Sequence, residues 1–167
     1  MVVVFETVIV KAAVNWFPME AWMVSVVPAV TAVVMVRWGP WCLIHAALGG
    51  AVTTLAMGGG WQQYVIYIIG NAAALAVLPL KNKWGWKKLH EGFLPVLGFS
   101  ALIVLSMQAG RAAVSLIMGI APEEVWRMTA MDSITYVFTL LIVWITARLD
   151  GILEDQVHYL KRLSQEP

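Results

Sequence analysis

The sequence WQQYVIYIIGNAAALAVLPL (Trp61–Leu80) decides the fold class, because it holds no charged residue over twenty positions. Twenty residues of helix rise about 30 Å, which is the thickness of a bilayer's hydrocarbon core. The segment that follows, KNKWGWKKLHE (81–91), holds four lysines and two tryptophans. Lysines beside an apolar span mark its cytoplasmic end, and tryptophans favour the membrane–water boundary. The stretch therefore predicts a transmembrane helix with Trp61 outside and Leu80 inside.

The composition of the whole chain also indicates a membrane protein. Of its 167 residues, 60% are hydrophobic and 13% are charged, and the mean hydropathy is +0.78. Soluble domains carry about 25% charged residues, so the composition disfavours a water-soluble fold. Cys42 is the only cysteine, which excludes a disulfide framework and a thiolate metal site. The net charge of +1 and the lack of a basic face argue against a nucleic-acid partner.

Six apolar segments predict an all-α fold, a polytopic bundle of transmembrane helices. They are Val2–Phe17, Ala21–Val36, Trp41–Met57, Trp61–Leu80, Phe93–Ile120 and Ser133–Ala147. Five crossings remain if Val2–Phe17 lies on the membrane surface, since that segment is short and carries Glu6 and Lys11. We expect residues 1–167 to form one integral membrane domain, with 149–167 as a cytoplasmic amphipathic tail.

Glycine and proline refine the boundaries of these segments. Gly39-Pro40 predicts a turn, and Gly58–Gly60 ends the third segment. Pro28 predicts a kink in the second segment, and the length of the fifth predicts a tilt or a break near Gly110. Small residues also recur four apart, a spacing that allows close contact between helices in lipid. The pairs are Ala46/Gly50, Ala47/Ala51, Gly70/Ala74 and Ala72/Ala76.

The distribution of charge predicts the orientation in the membrane. Six crossings with the lysines of 81–88 inside place eight basic residues on the cytoplasmic side, the others being Arg37, Arg148, Lys161 and Arg162. The connections on the other side carry Glu20, Glu123, Glu124, Arg127 and Asp132. Basic residues accumulate on the cytoplasmic side of membrane proteins. The pattern predicts a multi-pass protein of the cell membrane with both termini in the cytoplasm.

Polar side chains on the fourth segment predict one wall of a binding site. Gln63, Tyr67 and Asn71 recur every four residues and share one helix face, near Trp61 at the outer end. Polar groups that face lipid are expensive, so we expect this face to turn inward. Amides there offer hydrogen bonds to a solute, and the aromatic rings offer stacking.

The fifth segment supplies the opposite wall. Gln108, Arg111 and Ser115 are spaced three and four residues apart and also share a face. Arg111 suits an anionic group of a solute or a pairing with Asp132, which is itself placed to cap the sixth helix. Together the two faces predict a pocket that opens outward. The alternative is that these groups satisfy one another and only hold the helices together.

Other candidate residues give less specific signals. His45 is a lone histidine in the third segment, which favours a hydrogen-bonded core residue over a metal ligand. Motifs of nucleophilic, zinc-dependent and phosphate-binding enzymes are missing, so we expect no enzyme activity and no cofactor. The tail places apolar residues at helical spacing, which predicts an amphipathic helix on the membrane or on a partner. These residues are Leu153, Val157, Leu160 and Leu163.

The chain resembles the substrate-binding S-components of energy-coupling-factor vitamin transporters. The resemblance rests on the six-segment layout, the turn Arg37-Trp38-Gly39-Pro40 before the small-residue stretch Ala46–Ala51, and the polar outer residues. It implies capture of a vitamin-like solute outside the cell, with an energising transmembrane subunit and ATPases as partners. That family docks through an Ala-xxx-Ala face on its first helix, a pattern that is missing from the first segment here.

Two other classes of membrane protein also fit the pattern. A structural or scaffolding polytopic protein of a cell-envelope assembly would have six spans and a partner-binding tail without a pocket. A tryptophan-rich ligand-binding protein of the translocator type would fit the nine tryptophans, although that type usually has five spans. A bound small solute would distinguish the binding classes from the scaffold.

Overall fold

Every secondary-structure element that the structure describes is a helix. The computed structural model describes residues 2–16, 24–131, 133–149 and 151–165, and no strand occurs in these ranges. The helices are α1 (Val2–Trp16), α2 (Val27–Trp38), α3 (Cys42–Met57), α4 (Trp61–Asn71), α5 (Leu78–Glu91), α6 (Phe93–Ile117), α7 (Pro122–Met131), α8 (Ser133–Arg148) and α9 (Gln156–Leu163). Short 3₁₀ segments, Gly39–Trp41 and Ala72–Val77, join α2 to α3 and α4 to α5. The all-α prediction is confirmed.

Fewer helices are long enough to cross a bilayer than the six predicted. In the described ranges, three helical stretches pass by length and composition, namely Val27–Met57, Trp61–Lys83 and Phe93–Ile117. A fourth is added if α7 and α8, which are bent by 42° relative to each other, count as one span. α1 has 15 residues and rises only about 22 Å, less than a hydrocarbon core. The structure thus supports three or four candidate membrane helices.

The stretch Val27–Met57 folds back on itself. Gly39 has a φ of +59°, a left-handed conformation that breaks the helix. A Cβ atom added to Gly49 would lie 2.5 Å from Cγ1 of Val27. One straight helix would separate these two residues by about 33 Å. α2 and α3 therefore form an antiparallel hairpin, and the turn predicted at Gly39-Pro40 is confirmed.

Two predicted irregularities, the kink at Pro28 and the break near Gly110, do not occur. Pro28 lies in the first turn of α2. Backbone N–H groups in the first turn make no hydrogen bond within the helix, so a proline there does not kink it. Residues 24–26 precede α2 and are not helical, and the start of the predicted segment at Ala21 lies outside the described residues. α6 runs unbroken through Gly110 to Ile117. Gly110 serves a helix contact instead, since a Cβ there would overlap the carbonyl oxygen of Gly70.

Residues 121–132, which the sequence predicts to be a polar connection, contain a helix. α7 occupies Pro122–Met131, with Glu123 and Glu124 in its first turn, where acidic side chains favour the helix dipole. α5 likewise continues the helix through the basic segment to Glu91. The small-residue prediction is confirmed at Gly50, where a Cβ would lie 2.5 Å from the carbonyl oxygen of Tyr67.

α1 lies beside the half of α3 that ends at Met57. Val3 shares a groove with Leu48, near the middle of α3, and the carboxylate of Glu6 contacts Thr53. Val14 shares a cleft with Met57. The two helices therefore run parallel. We call the end of the bundle formed by Gly58–Gly60 and Gly119 the glycine end, and the opposite end, where α9 lies, the tail end.

Exposed tryptophans mark both ends of the bundle. Trp16, Trp61 and Trp126 belong to segments that meet at the glycine end, and Trp38 and Trp41 lie at the tail end. Tryptophan favours the two membrane–water interfaces. Between these bands, large apolar side chains of α1, α3, α6 and α8 are exposed, as expected for surfaces that face lipid. The arrangement is that of a membrane protein.

Candidate functional site

Four of the predicted site residues surround one small cavity between α4, α6 and α7. Tyr67 reaches it from α4, and Gln108, Arg111 and Ser115 reach it from α6. Thr129 belongs to the lining from α7. The cavity holds about 10 Å³, which is the room that one water molecule needs. The two polar helix faces thus meet in the structure, but the enclosed space is far smaller than a vitamin.

Arg111 is held against an aromatic ring inside the bundle. Its guanidinium carbon lies 5.0 Å from the centroid of Tyr67, whose side chain is buried. Such a contact stabilises a cation more strongly when water is excluded. Electrostatic attraction from Arg111 also reaches the buried carboxylate of Glu6 on α1. The positive charge of α6 is therefore part of the interior of the bundle. Asp132, the partner suggested for it from the sequence, lies outside the described residues.

Gln108 links three helices. Its side-chain oxygen accepts a hydrogen bond of 2.7 Å from the hydroxyl of Tyr136 on α8, and its nitrogen donates to the Thr129 carbonyl at 3.4 Å. Both ends of the amide are engaged, so Gln108 fixes α7 and α8 against α6. The sequence analysis does not name Tyr136 among the candidate residues. Its only distinguishing feature in the sequence is a polar hydroxyl near the start of an apolar segment.

Asn71 does not share the cavity with Arg111. Its Nδ2 donates to the carbonyl oxygen of Ala46 on α3 at 3.2 Å, and its side chain is buried there. A Cβ at Gly50 would lie 3.0 Å from that same nitrogen, which shows how closely α3 and α4 pack. Asn71 therefore lies outside the lining of the cavity that Arg111 reaches. Asn71 joins two helices, as amides often do in membranes.

A larger cleft opens at the glycine end. It holds about 790 Å³ and is lined by Trp61, Gln62 and Gln63, by the two glycine-containing loops, and by Glu124 and Met128 of α7. Pockets for small molecules typically hold about 300–1,000 Å³. Met128 also lines the small cavity, so the cleft and the small cavity adjoin at this residue. Trp61 and Gln63, two predicted site residues, therefore lie in the cleft and not beside Asn71.

Glu6 is the most deeply buried acidic side chain among the described residues, and the sequence analysis did not assign it to the site. It is 1% exposed. Its carboxylate accepts hydrogen bonds from the hydroxyls of Ser25 (2.7 Å) and Thr53 (2.6 Å) and from the backbone N–H of Val26 (2.8 Å). These hydrogen bonds fasten α1 to α3 and to the residues directly before α2. An acid in an apolar segment was itself the signal.

His45 departs from its predicted role as a hydrogen-bonded core residue. Its side chain is exposed on α3, where it lines a groove with Val3, Glu6 and Leu48. Lys11 is also exposed and takes no part in the Glu6 contacts. No group of three or more metal-ligating side chains occurs in the part of the chain that the structure describes.

Comparisons with protein-family models, curated proteins and solved structures find no match to this chain.

Proposed function

We propose that this protein is a multi-pass membrane protein of the cell membrane that binds a small solute in the cleft at its glycine end. The cleft carries the proposal, because its volume of about 790 Å³ is the size of a small-molecule site and its walls combine an aromatic ring with amides. Trp61 supplies the ring at the rim, and Gln63 supplies the amide. Arg111, Tyr67 and Gln108 line the small cavity that adjoins the cleft at Met128, and the positive charge of Arg111 favours a solute with an anionic group.

The proposed orientation places the glycine end outside the cell. The tail end carries Arg37, Lys81, Lys83, Lys88, Arg148, Lys161 and Arg162, so the basic side chains cluster there. This distribution agrees with cytoplasmic accumulation of basic residues. In this arrangement α3, the α4–α5 pair, α6 and the α7–α8 pair cross the bilayer, whereas α2, which has 12 residues and rises about 18 Å, lies beside the tail-end half of α3. α1 packs beside the outer half of α3 as a sixth, shorter membrane segment.

The proposed activity is that of a substrate-binding subunit of an uptake transporter for a vitamin-like micronutrient. A binding subunit of this kind needs an energising transmembrane subunit and ATPases, because the chain has no phosphate-binding loop of its own. The support for this class is the cleft at the outer end together with the architectural resemblance to S-components. Membrane lipid is the surrounding partner.

The second candidate is a structural polytopic protein of a cell-envelope assembly. One observation favours it: Asn71, Gln108 and Glu6 all bond to neighbouring helices, and the small cavity beside Gln108 holds only a water-sized volume. Groups used in this way hold a bundle together without binding a solute. A scaffold of this kind would bind no solute in the cleft and would bind other proteins instead.

One experiment distinguishes the two candidates. The full-length protein is purified in mild detergent without added ligand, and the small molecules that it releases on denaturation are identified by mass spectrometry. Solute binding is supported by one compound present in near-stoichiometric amount. An empty cleft, together with stable co-isolation of envelope proteins, would favour the scaffold and overturn the proposed function.

A further inference from the structure

The segment after α8 is fastened to the tail end of the bundle around Arg37. The Nε of Arg37 donates to the side-chain oxygen of Gln156 at 2.9 Å, and its Nη1 donates to the carbonyl of Gly151 at 2.9 Å. The guanidinium carbon lies 5.2 Å from the ring of Trp38 and 5.3 Å from the ring of Tyr159. Arg37 lies in the last turn of α2. These contacts fix the start of α9 at the level where α2 ends.

One ion pair attaches the same segment to α5, and a second lies within the segment. Asp155 pairs with Lys81 of α5 at 3.3 Å, and Glu154, which is buried, pairs with Arg162 at 3.2 Å. Asp155 also caps α9 by accepting the backbone N–H of Val157. α9 is thus held against the ends of two separate helices and does not hang from α8 alone.

α9 presents two faces with different chemistry. Tyr159 and Gln156 point toward Arg37 and the bundle. An apolar face made by Val157, Leu160 and Leu163 is 47–58% exposed. These three residues are spaced three apart, so they follow one side of the helix. Leu153, which the sequence grouped with them, lies before α9 and is buried.

The charges around α9 favour an acidic surface as its partner. The helix, QVHYLKRL, contains no acidic residue. Lys161 is exposed beside the apolar face, and Lys83 and Lys88 of α5 are exposed at the same end of the bundle. No ion pair involves these three lysines within the described ranges. Basic residues beside an apolar helix face bind anionic lipid headgroups.

We propose that α9 lies in the headgroup layer of the tail-end leaflet, with Val157, Leu160 and Leu163 toward the acyl chains and Lys161 against anionic lipid phosphates. The position of the helix supports this occupant, because the Arg37 and Lys81 contacts hold it where the membrane helices end. The sequence left lipid and protein open as the partner of this helix. The inference does not depend on solute binding in the cleft at the opposite end.

The test uses the full-length protein with Cys42→Ser, which removes the buried native thiol. Leu160→Cys places a bimane fluorophore on the apolar face. His158→Cys is the matched control, since it is two residues away and so about 160° around the helix. Each labelled protein is reconstituted into vesicles of phosphatidylcholine alone or mixed with phosphatidylglycerol. Quenching by brominated lipid is compared with quenching by iodide in the aqueous phase.

We expect brominated lipid to quench the Leu160→Cys label several-fold more than the His158→Cys label, with the reverse order for iodide. Adding phosphatidylglycerol increases the lipid quenching at position 160, and Lys161→Glu abolishes that increase. Equal iodide quenching at both positions would show that α9 faces water or a soluble partner, and the proposal would be overturned. If neither phosphatidylglycerol nor Lys161→Glu changes the lipid quenching at position 160, the proposed contact of Lys161 with anionic headgroups would be overturned.

Discussion

The guanidinium carbon of Arg111 lies 5.0 Å from the centre of the Tyr67 ring, so a cation of α6 rests on an aromatic face of α4 inside the bundle. The neighbouring residues allow this approach, because a Cβ at Gly70 would lie 2.6 Å from the Cα of Arg111. Close backbone contact and the cation–ring contact therefore stabilise the same helix pair. Tyr67 and Arg111 also line the small cavity that adjoins the cleft.

Replacing the ring at position 67 tests the strength of that contact. Tyr67→Phe keeps the aromatic face, and Tyr67→Leu removes it. A desolvated cation–ring contact contributes about 2 kcal/mol, so we expect Tyr67→Leu to be about 2 kcal/mol less stable than Tyr67→Phe. Thermal unfolding of both variants in the same detergent measures the difference. Identical midpoints would show that Arg111 gains nothing from the ring.

The hydrogen bonds to Glu6 predict a large effect of a single change in α1. Glu6→Ala leaves the Ser25 hydroxyl and the Val26 N–H without their acceptor, and the Thr53 hydroxyl keeps only the carbonyl of Gly49. We expect a loss of about 3 kcal/mol, because buried donors without a partner are costly. Thr53→Val removes one donor and should cost about 1 kcal/mol. Lys11→Gln is the control, because this exposed charge lies on the same helix. Thermal unfolding measures all three, and a Glu6→Ala variant as stable as Lys11→Gln would contradict the assigned role.

The attachment of α9 should respond to acid through Asp155. Burial alone would raise the pKa of Asp155, but the Val157 N–H and the Lys81 ammonium outweigh it, so its pKa lies below the usual value. A lowered pKa in the folded protein means that the stabilisation is fully present above the ordinary Asp pKa of about 3.9 and is lost as the pH falls further. We expect the attachment to be unchanged from neutral pH to about pH 5.

A spin label on Gln165→Cys, in the Cys42→Ser background, measures this attachment by the mobility in its spectrum. Mobility should rise only below about pH 4. Lys81→Met removes one cause of the lowered pKa and should move the transition to higher pH. Asp155→Asn should abolish it. A transition that stays in place in the Lys81→Met variant would show that the ion pair does not hold the tail.

Much of the helical fold could be predicted from the sequence, because uncharged apolar runs bounded by Gly39-Pro40 and Gly58–Gly60 specify helices locally. α7 was missed because its acidic first turn was taken for a loop, although acids there stabilise a helix start. The six predicted crossings required each apolar segment to have full length. α1 has 15 residues and α2 has 12, which is less than a full crossing. α2 is short because residues 24–26 before it are not helical.

The candidate site could be predicted only where residues on one helix share a face. Helical spacing brings Gln108, Arg111 and Ser115 to one cavity in the structure, as expected for one helix face. It could not reveal that Asn71 donates to a carbonyl 25 residues earlier. The partners of Glu6 lie 19, 20 and 47 residues away, and no local pattern encodes such distances.

The proposed orientation predicts which connections face the outside of an intact cell. Single cysteines at Gly60→Cys and Gln165→Cys, both in the Cys42→Ser background, place thiols at the glycine end and at the tail end. A membrane-impermeant maleimide should label position 60 in intact cells and position 165 only after the cells are opened. Labelling of position 165 in intact cells would reverse the orientation and place the cleft in the cytoplasm.

Two tryptophans of the glycine end provide the most direct test of solute binding in the cleft. Trp61 lines the cleft and is 70% exposed, whereas Trp126 is 75% exposed and does not line it. Native mass spectrometry of the purified wild type, Trp61→Ala and Trp126→Ala compares the small molecule that each retains. We expect the wild type and Trp126→Ala to keep the same bound compound, and Trp61→Ala to lose most of it. Equal retention by both variants, or no compound in any of the three, would contradict a solute site in the cleft.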